Sequence, residues 1–133
     1  MSENQKKIWI TGASSGIGKA LALKFAKENW QVAISARRKV LLDELAQNKN
    51  ISSFPLDVTN DSLVKTAFSE ILRDFKNIDL CVFCSGAYDP KLEKEINKEQ
   101  IKKIMNINFF GVLNCIKVVE DYFKGKKAGH ISI

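Results

Sequence analysis

Thr11-Gly12-Ala13-Ser14-Ser15-Gly16-Ile17-Gly18 stands between an apolar run, Lys7-Ile8-Trp9-Ile10, and a stretch with helical periodicity over 19–28. Glycines four and two apart at a strand-to-helix junction make a backbone suited to wrapping a phosphate. Gly12 takes the tight turn off the strand without a Cβ penalty. Gly16 leaves room for a pyrophosphate to come close to the main chain, and Gly18 lets the helix press on the sheet. The first turn of the helix that follows Ile17 and Gly18 then aims unpaired N–H groups and the positive end of a dipole at the anion. The hydroxyls of Ser14 and Ser15 lie inside the same loop.

Outward from this loop, strand and helix signals alternate. Residues 31–36 read as a second strand, 40–47 as a short helix and 51–57 as a third strand, with Pro55 tolerable near its end. Residues 61–75 are strongly helical, because Leu63, Val64, Ala67, Phe68, Ile71, Leu72 and Phe75 recur at the 3.6-residue period. A fourth strand over 79–84 leads to a loop over 85–95, broken by Gly86 and Asp89-Pro90. Asn97-Lys98-Glu99-Gln100 has the form of a capping box and opens a long helix to about residue 123. A fifth strand begins at Gly129.

Alternating β and α units with apolar strands predict an α/β fold, a doubly wound parallel sheet with helices on both faces. About five of its strands are present, in a single domain over 1–133. Such sheets bind ligands where the strand order reverses, beyond the carboxyl ends of the strands. The glycine loop, Ala36-Arg37-Arg38, Asp57-Val58 and Cys84-Ser85-Gly86 all fall at strand ends and converge on one edge.

The bulk composition is that of an ordinary globular domain: 133 residues, 45% hydrophobic, 27% charged, net charge +6. The lysines are spread over helices without the aromatic interleaving that stacks bases, so no nucleic-acid partner is expected. The cluster Lys124, Lys126, Lys127 reads as a solvated helix end. No apolar run approaches a membrane span, and the polar first residues show no signal peptide, so a cytoplasmic location is expected. Cys81 and Cys84 match C-x-x-C. On a strand, residues three apart face opposite sides and lie ~10 Å apart at about 3.3 Å per residue, so neither a disulfide nor a metal site is expected.

With these residues in place the chain resembles the short-chain dehydrogenases/reductases, whose Thr-Gly-x-x-x-Gly-x-Gly motif is matched by Thr11, Gly12, Gly16 and Gly18. The resemblance runs over essentially the whole chain and implies a Rossmann fold and hydride transfer between a nicotinamide cofactor and a small carbonyl or alcohol substrate. Leu56-Asp57-Val58-Thr59 is similar to the family's adenine-contacting segment, with Asp57 accepting from the adenine amino group and Val58 packing near the ring. Asn106-Ile107-Asn108-Phe109-Phe110-Gly111 resembles the segment carrying the active-site asparagine, which places Asn108 in the catalytic set. Ala36 stands where an NAD-binding carboxylate would be expected. Arg37 and Arg38 follow it, and guanidinium forks suit a 2′-phosphate, so NADP(H) is favoured over NAD(H).

Two departures qualify the resemblance. The family's Asn-Asn-Ala-Gly after strand four is here Phe83-Cys84-Ser85-Gly86, which keeps only the glycine. The family's catalytic serine follows strand five, and its Tyr-x-x-x-Lys pair lies on the next helix; tyrosine is the acid/base, lysine lowers its pKa, and the asparagine holds a relay water. The chain is expected to stop within strand five, before these groups. Tyr122 and Lys126 have the right spacing but the wrong end of the sheet, with Gly125 expected to break the helix between them, and His130 reads as structural or surface. The chain is then the dinucleotide-binding portion of an oxidoreductase, or alternatively a truncated, non-catalytic nucleotide-binding module. A homo-oligomer is expected of the full-length protein. The last strand should form an open edge, and the long helix should expose Ile104, Val112 and Val119.

Overall fold

The computed structural model describes residues 4–133. Five strands, β1 (Lys7–Thr11), β2 (Gln31–Ser35), β3 (Ile51–Ser53), β4 (Leu80–Phe83) and β5 (His130–Ser132), lie parallel in one sheet. Their order is β3-β2-β1-β4-β5. The chain steps outward from β1 to β3, then crosses back to β4 beside β1. With right-handed crossovers that reversal sends the first helices to one face and the later ones to the other. Accordingly α1 (Gly16–Lys27) and α2 (Lys39–Leu45) cover one face, and α3 (Asp61–Phe75) and α5 (Val112–Lys126) the other. This is the doubly wound Rossmann-type sheet expected from the sequence.

Strand alternation feeds both layers. Ile8, Ile10, Val32 and Ile34 pack under α1 and α2, while Trp9, Ala33, Cys81 and Phe83 pack under α3 and α5. Cys81 and Cys84 do lie on opposite faces. Trp9 is fully buried, stacks on Phe68 at 5.5 Å and meets Phe83 edge-on at 5.7 Å. Its indole N–H donates to Ser35 Oγ at 3.0 Å, so the one polar atom of the largest core residue is satisfied. α3 has the expected bounds. Asn60 caps it by accepting from the Leu63 N–H, and Lys76 closes it in the left-handed conformation. Leu63, expected on its apolar face, is exposed instead.

Several boundaries differ from the expectations. β3 ends at Ser53 rather than running to residue 57, although the amides of Phe54 and Leu56 still donate to Ile34 and Ala36. Pro55, between them, has no N–H to contribute. α1 starts at Gly16 rather than Lys19, α2 covers Lys39–Leu45, and a 3₁₀ turn, Pro90–Glu93, lies within the β4 loop. The long helix is not uniform. An α-helical stretch, α4 (Lys98–Met105), passes into a π-helical turn, Asn106–Gly111, and then into α5. Gly125 does not break it; the helix runs to Lys126 and ends at Lys127, whose φ is 57°. Val112 and Val119, expected to be exposed, are buried against the sheet. The exposed large apolar side chains of the long helix are Ile101, Met105, Phe109, Phe110 and Leu113. No helix among the described residues is long and apolar enough to cross a membrane.

Tyr122 and Lys126 sit at the amino end of β4, across the sheet from the glycine loop. The Tyr122 hydroxyl donates to Asn77 Oδ1 at 3.0 Å and accepts from the Ile78 N–H at 3.2 Å. Lys126, expected to be a solvated lysine, donates to the Ile78 carbonyl at 2.7 Å and to Asn77 Oδ1. The pair anchors the end of α5 to the start of β4. Tyr122→Phe should therefore lower unfolding free energy by about 1–3 kcal/mol, because the Ile78 amide loses its partner. Nucleotide affinity should be unchanged, and denaturant titration with and without nucleotide measures both.

Candidate functional site

The glycine loop turns off β1 at Gly12 (φ +67°), whose backbone passes so close to β4 that a Cβ would lie 2.6 Å from the carbonyl carbon and oxygen of Cys84. Gly18 is equally tight, with a Cβ position 2.3 Å from the Gly12 carbonyl oxygen. The loop is therefore pressed between helix and sheet at both ends. At Gly16, by contrast, the Cβ position faces open space. Ser15, the N-cap of α1, makes no side-chain capping bond, and the first turn carries no acidic residue. An uncapped helix start beside open space suits an anion, which would meet backbone N–H donors and the positive dipole end.

A cleft of about 600 Å³ opens there. It gathers all four strand-end segments singled out in the sequence: Gly12, Ser14, Ser15, Gly16, Ile17 and Gly18; Arg37 and Arg38; Asp57 and Val58; and Cys84, Ser85 and Gly86. The Arg38 guanidinium donates to Ser14 Oγ at 3.1 Å and Ser15 Oγ at 3.2 Å, so the β2 loop is tied to the glycine loop by a cation. Asp57 is the one carboxylate among the described residues lining the cleft. Its Oδ1 accepts from the Thr59 N–H at 3.0 Å and the Thr59 hydroxyl at 2.7 Å, which fixes its orientation.

Asn108 is not on the cleft wall. Within the π-helical turn its side-chain amide pairs with Ala87, accepting from the Ala87 N–H and donating to the Ala87 carbonyl at 2.8 Å. It thus fastens the loop after β4 to the long helix. Sequence reasoning missed Leu21 and Ile107, which add apolar surface, and Ser132 and Ile133, which close one side. Ile107 is one residue before the singled-out asparagine, and only the phase of the π turn decides which of the two faces the cleft.

A family model described as short chain dehydrogenase matches residues 6–132. The chain belongs to the short-chain dehydrogenase family. It is 32% identical over 133 residues to dehydrogenase/reductase SDR family member 7 of Mus musculus, covering 93% of this chain and 39% of that protein. An NADPH-dependent 1-acyldihydroxyacetone phosphate reductase of Schizosaccharomyces pombe is 36% identical over 121 residues, covering 89% of this chain and 40% of that one. Among solved structures, ElxO with NADP bound superposes with a TM-score of 0.85 at 29% identity, covering 96% of this chain and 54% of that chain. The short-chain dehydrogenase sequence in hand thus spans about two fifths of these curated relatives and about half of the solved structure.

Cysteine chemistry distinguishes the cleft from the core. Burial pushes the thiols of Cys81 and Cys115 up, the latter to about 12, and raises the half-buried Cys84 as well. Thiolate is the reactive form. Maleimide labelling of the native chain should modify Cys84 alone, with a rate still rising with pH above the ordinary thiol range. Bound dinucleotide should protect it; peptide mapping of the labelled chain reads both.

Proposed function

We propose that this chain is the dinucleotide-binding domain of an NADP(H)-dependent short-chain oxidoreductase that moves a hydride between nicotinamide and a carbonyl or alcohol. The observation that carries the reading is the corner where Arg38 reaches Ser14 and Ser15 beside Arg37. It offers two guanidiniums and two hydroxyls at the end of β2, where Ala36 leaves no carboxylate to repel a 2′-phosphate. The cofactor, when bound, supplies the hydride chemistry. The chain's own residues bind and orient. The N–H groups at Gly16–Gly18 hold the pyrophosphate and Arg37 and Arg38 the 2′-phosphate. Asp57 and Val58 receive the adenine, while Cys84, Ser85 and Gly86 line the path toward the nicotinamide. Asn108 belongs to the catalytic set in this reading, holding the β4 loop through Ala87.

The tyrosines of these 133 residues are Tyr88 and Tyr122, and neither lines the cleft. That favours a second reading, in which these 133 residues bind nucleotide and catalyse nothing by themselves. Two further points go with the proposal. The exposed stripe Ile101, Met105, Phe109 and Leu113 on the long helix supports a homo-oligomer. Three free cysteines, two of them buried, suit a reducing cytoplasmic setting.

Isothermal titration of NADPH and NADH tests the cofactor preference. NADPH should bind at least about tenfold more tightly, the scale of a charge-assisted guanidinium–phosphate pair. Arg37→Asp and Arg38→Ala should each erase most of that preference while leaving NADH affinity in place. An unchanged preference in both variants would refute the assignment.

A further inference from the structure

The helix that carries Asn108 touches the cleft a second time. Beyond the π-helical turn it runs against the segment between β3 and α3, more than fifty residues earlier in the chain. At Gly111, the last residue of that turn, a Cβ would stand 2.6 Å from Val58 Cγ2 and 3.3 Å from Val58 Cβ. Its φ is −62°, ordinary helix, so glycine is required there for the close approach and not for its torsional freedom. Three residues on and on the same helical face, Asn114 Nδ2 donates to the Val58 carbonyl at 3.0 Å. A steric seat and a hydrogen bond therefore converge on one residue, and that residue lines the cleft.

The segment gripped in this way has left the sheet. Its last bond to β2 is from the Leu56 N–H to the Ala36 carbonyl. Residues 57–60 then fold into a turn tied to itself, through Thr59 to Asp57 Oδ1 and the Asn60 N–H to the Asp57 carbonyl at 3.1 Å. Such a turn has a fixed internal shape, but its position relative to the cleft must come from outside. The Val58 backbone and side chain are where the long helix supplies it.

We propose that Gly111 and Asn114 are positioning residues for the adenine-side wall of the cleft, setting Val58, and Asp57 with it, at the depth a dinucleotide's base requires. The inference rests on the dinucleotide reading above. One element then holds two walls of one site. Asn108 fastens the β4 loop at Ala87, and Gly111 with Asn114 seats the β3 loop at Val58. The π turn makes this possible. Its wider winding shifts the helical phase by about one residue, so successive turns face different loops.

The test compares two probes on the whole chain: adenosine 2′,5′-bisphosphate, which needs the base wall, and inorganic pyrophosphate, which needs only the glycine loop. Gly111→Ala and Asn114→Ala should each weaken the bisphosphate by about tenfold and leave pyrophosphate within about twofold. Adding Val58→Ala to Gly111→Ala removes the colliding methyl and should recover much of the lost bisphosphate affinity, a rescue that a general loss of packing would not give. Asn114→Ala leaves the steric seat untouched and decides the matter alone if Gly111→Ala does not fold. Unchanged bisphosphate affinity in Asn114→Ala, or equal weakening of both probes, overturns the inference. A wild-type chain that binds neither probe overturns the dinucleotide reading, and the inference with it.

Discussion

Gly12 occupies a space with no allowance for a side chain, since its Cβ position lies 2.6 Å from the Cys84 carbonyl and its φ is +67°. Three elements meet at that point: the end of β1, the end of β4 and the approach to α1. Because the Gly18 position is blocked in turn by the Gly12 carbonyl oxygen, the helix start is held directly against the strand it follows. A methyl group at either glycine would wedge these layers apart, at an overpacking cost of about 1–3 kcal/mol or more. It would also draw the dipole end of α1 away from the cleft. The other strand-end loops then face an anion site whose position is already set.

The sheet divides its labour between its two ends. At the carboxyl end the loops carry the groups suited to a dinucleotide, held together by Arg38 on the serines and by the long helix on Ala87 and Val58. At the amino end Tyr122 and Lys126, whose spacing imitates a catalytic pair, satisfy Asn77 and the Ile78 backbone. Sequence spacing alone makes the two roles indistinguishable. The direction of a parallel βα unit separates them, because the end of a helix and the end of the preceding strand lie on opposite edges of the sheet.

Most of this was legible in the sequence where a local rule and the global fold agree. The alternating apolar runs gave the strands, the glycine spacing gave the loop, and the 3.6-residue pattern gave α3 to the residue. The misses are specific. β3 is shorter than expected, although the amides of Phe54 and Leu56 carry the bonding to β2 past its end. Val112 and Val119 were expected to wait for cover from elements further along the chain, but α5 packs them directly onto the sheet beside α3. Within the π-helical turn Asn108 faces Ala87 and Ile107 lines the cleft, an arrangement that spacing alone does not distinguish. The convergence of the strand ends was legible, but the side-chain contacts between distant segments were not. Nothing in residues 54–60 announces that Gly111 and Asn114 will seat Val58, because that contact exists only once the sheet has formed.

The proposed dinucleotide would lie in the strand-end cleft with its pyrophosphate on the start of α1. Mapping backbone amide shifts of the isotope-labelled chain during NADPH titration tests this placement directly. The largest changes should fall on Gly16, Ile17 and Gly18, with a second group at Arg37–Arg38 and Asp57–Val58 and a third at Ser85–Gly86. The Tyr122–Lys126 end should stay still. Shifts centred on that far end, or a glycine loop that does not respond at saturating NADPH, would contradict the account.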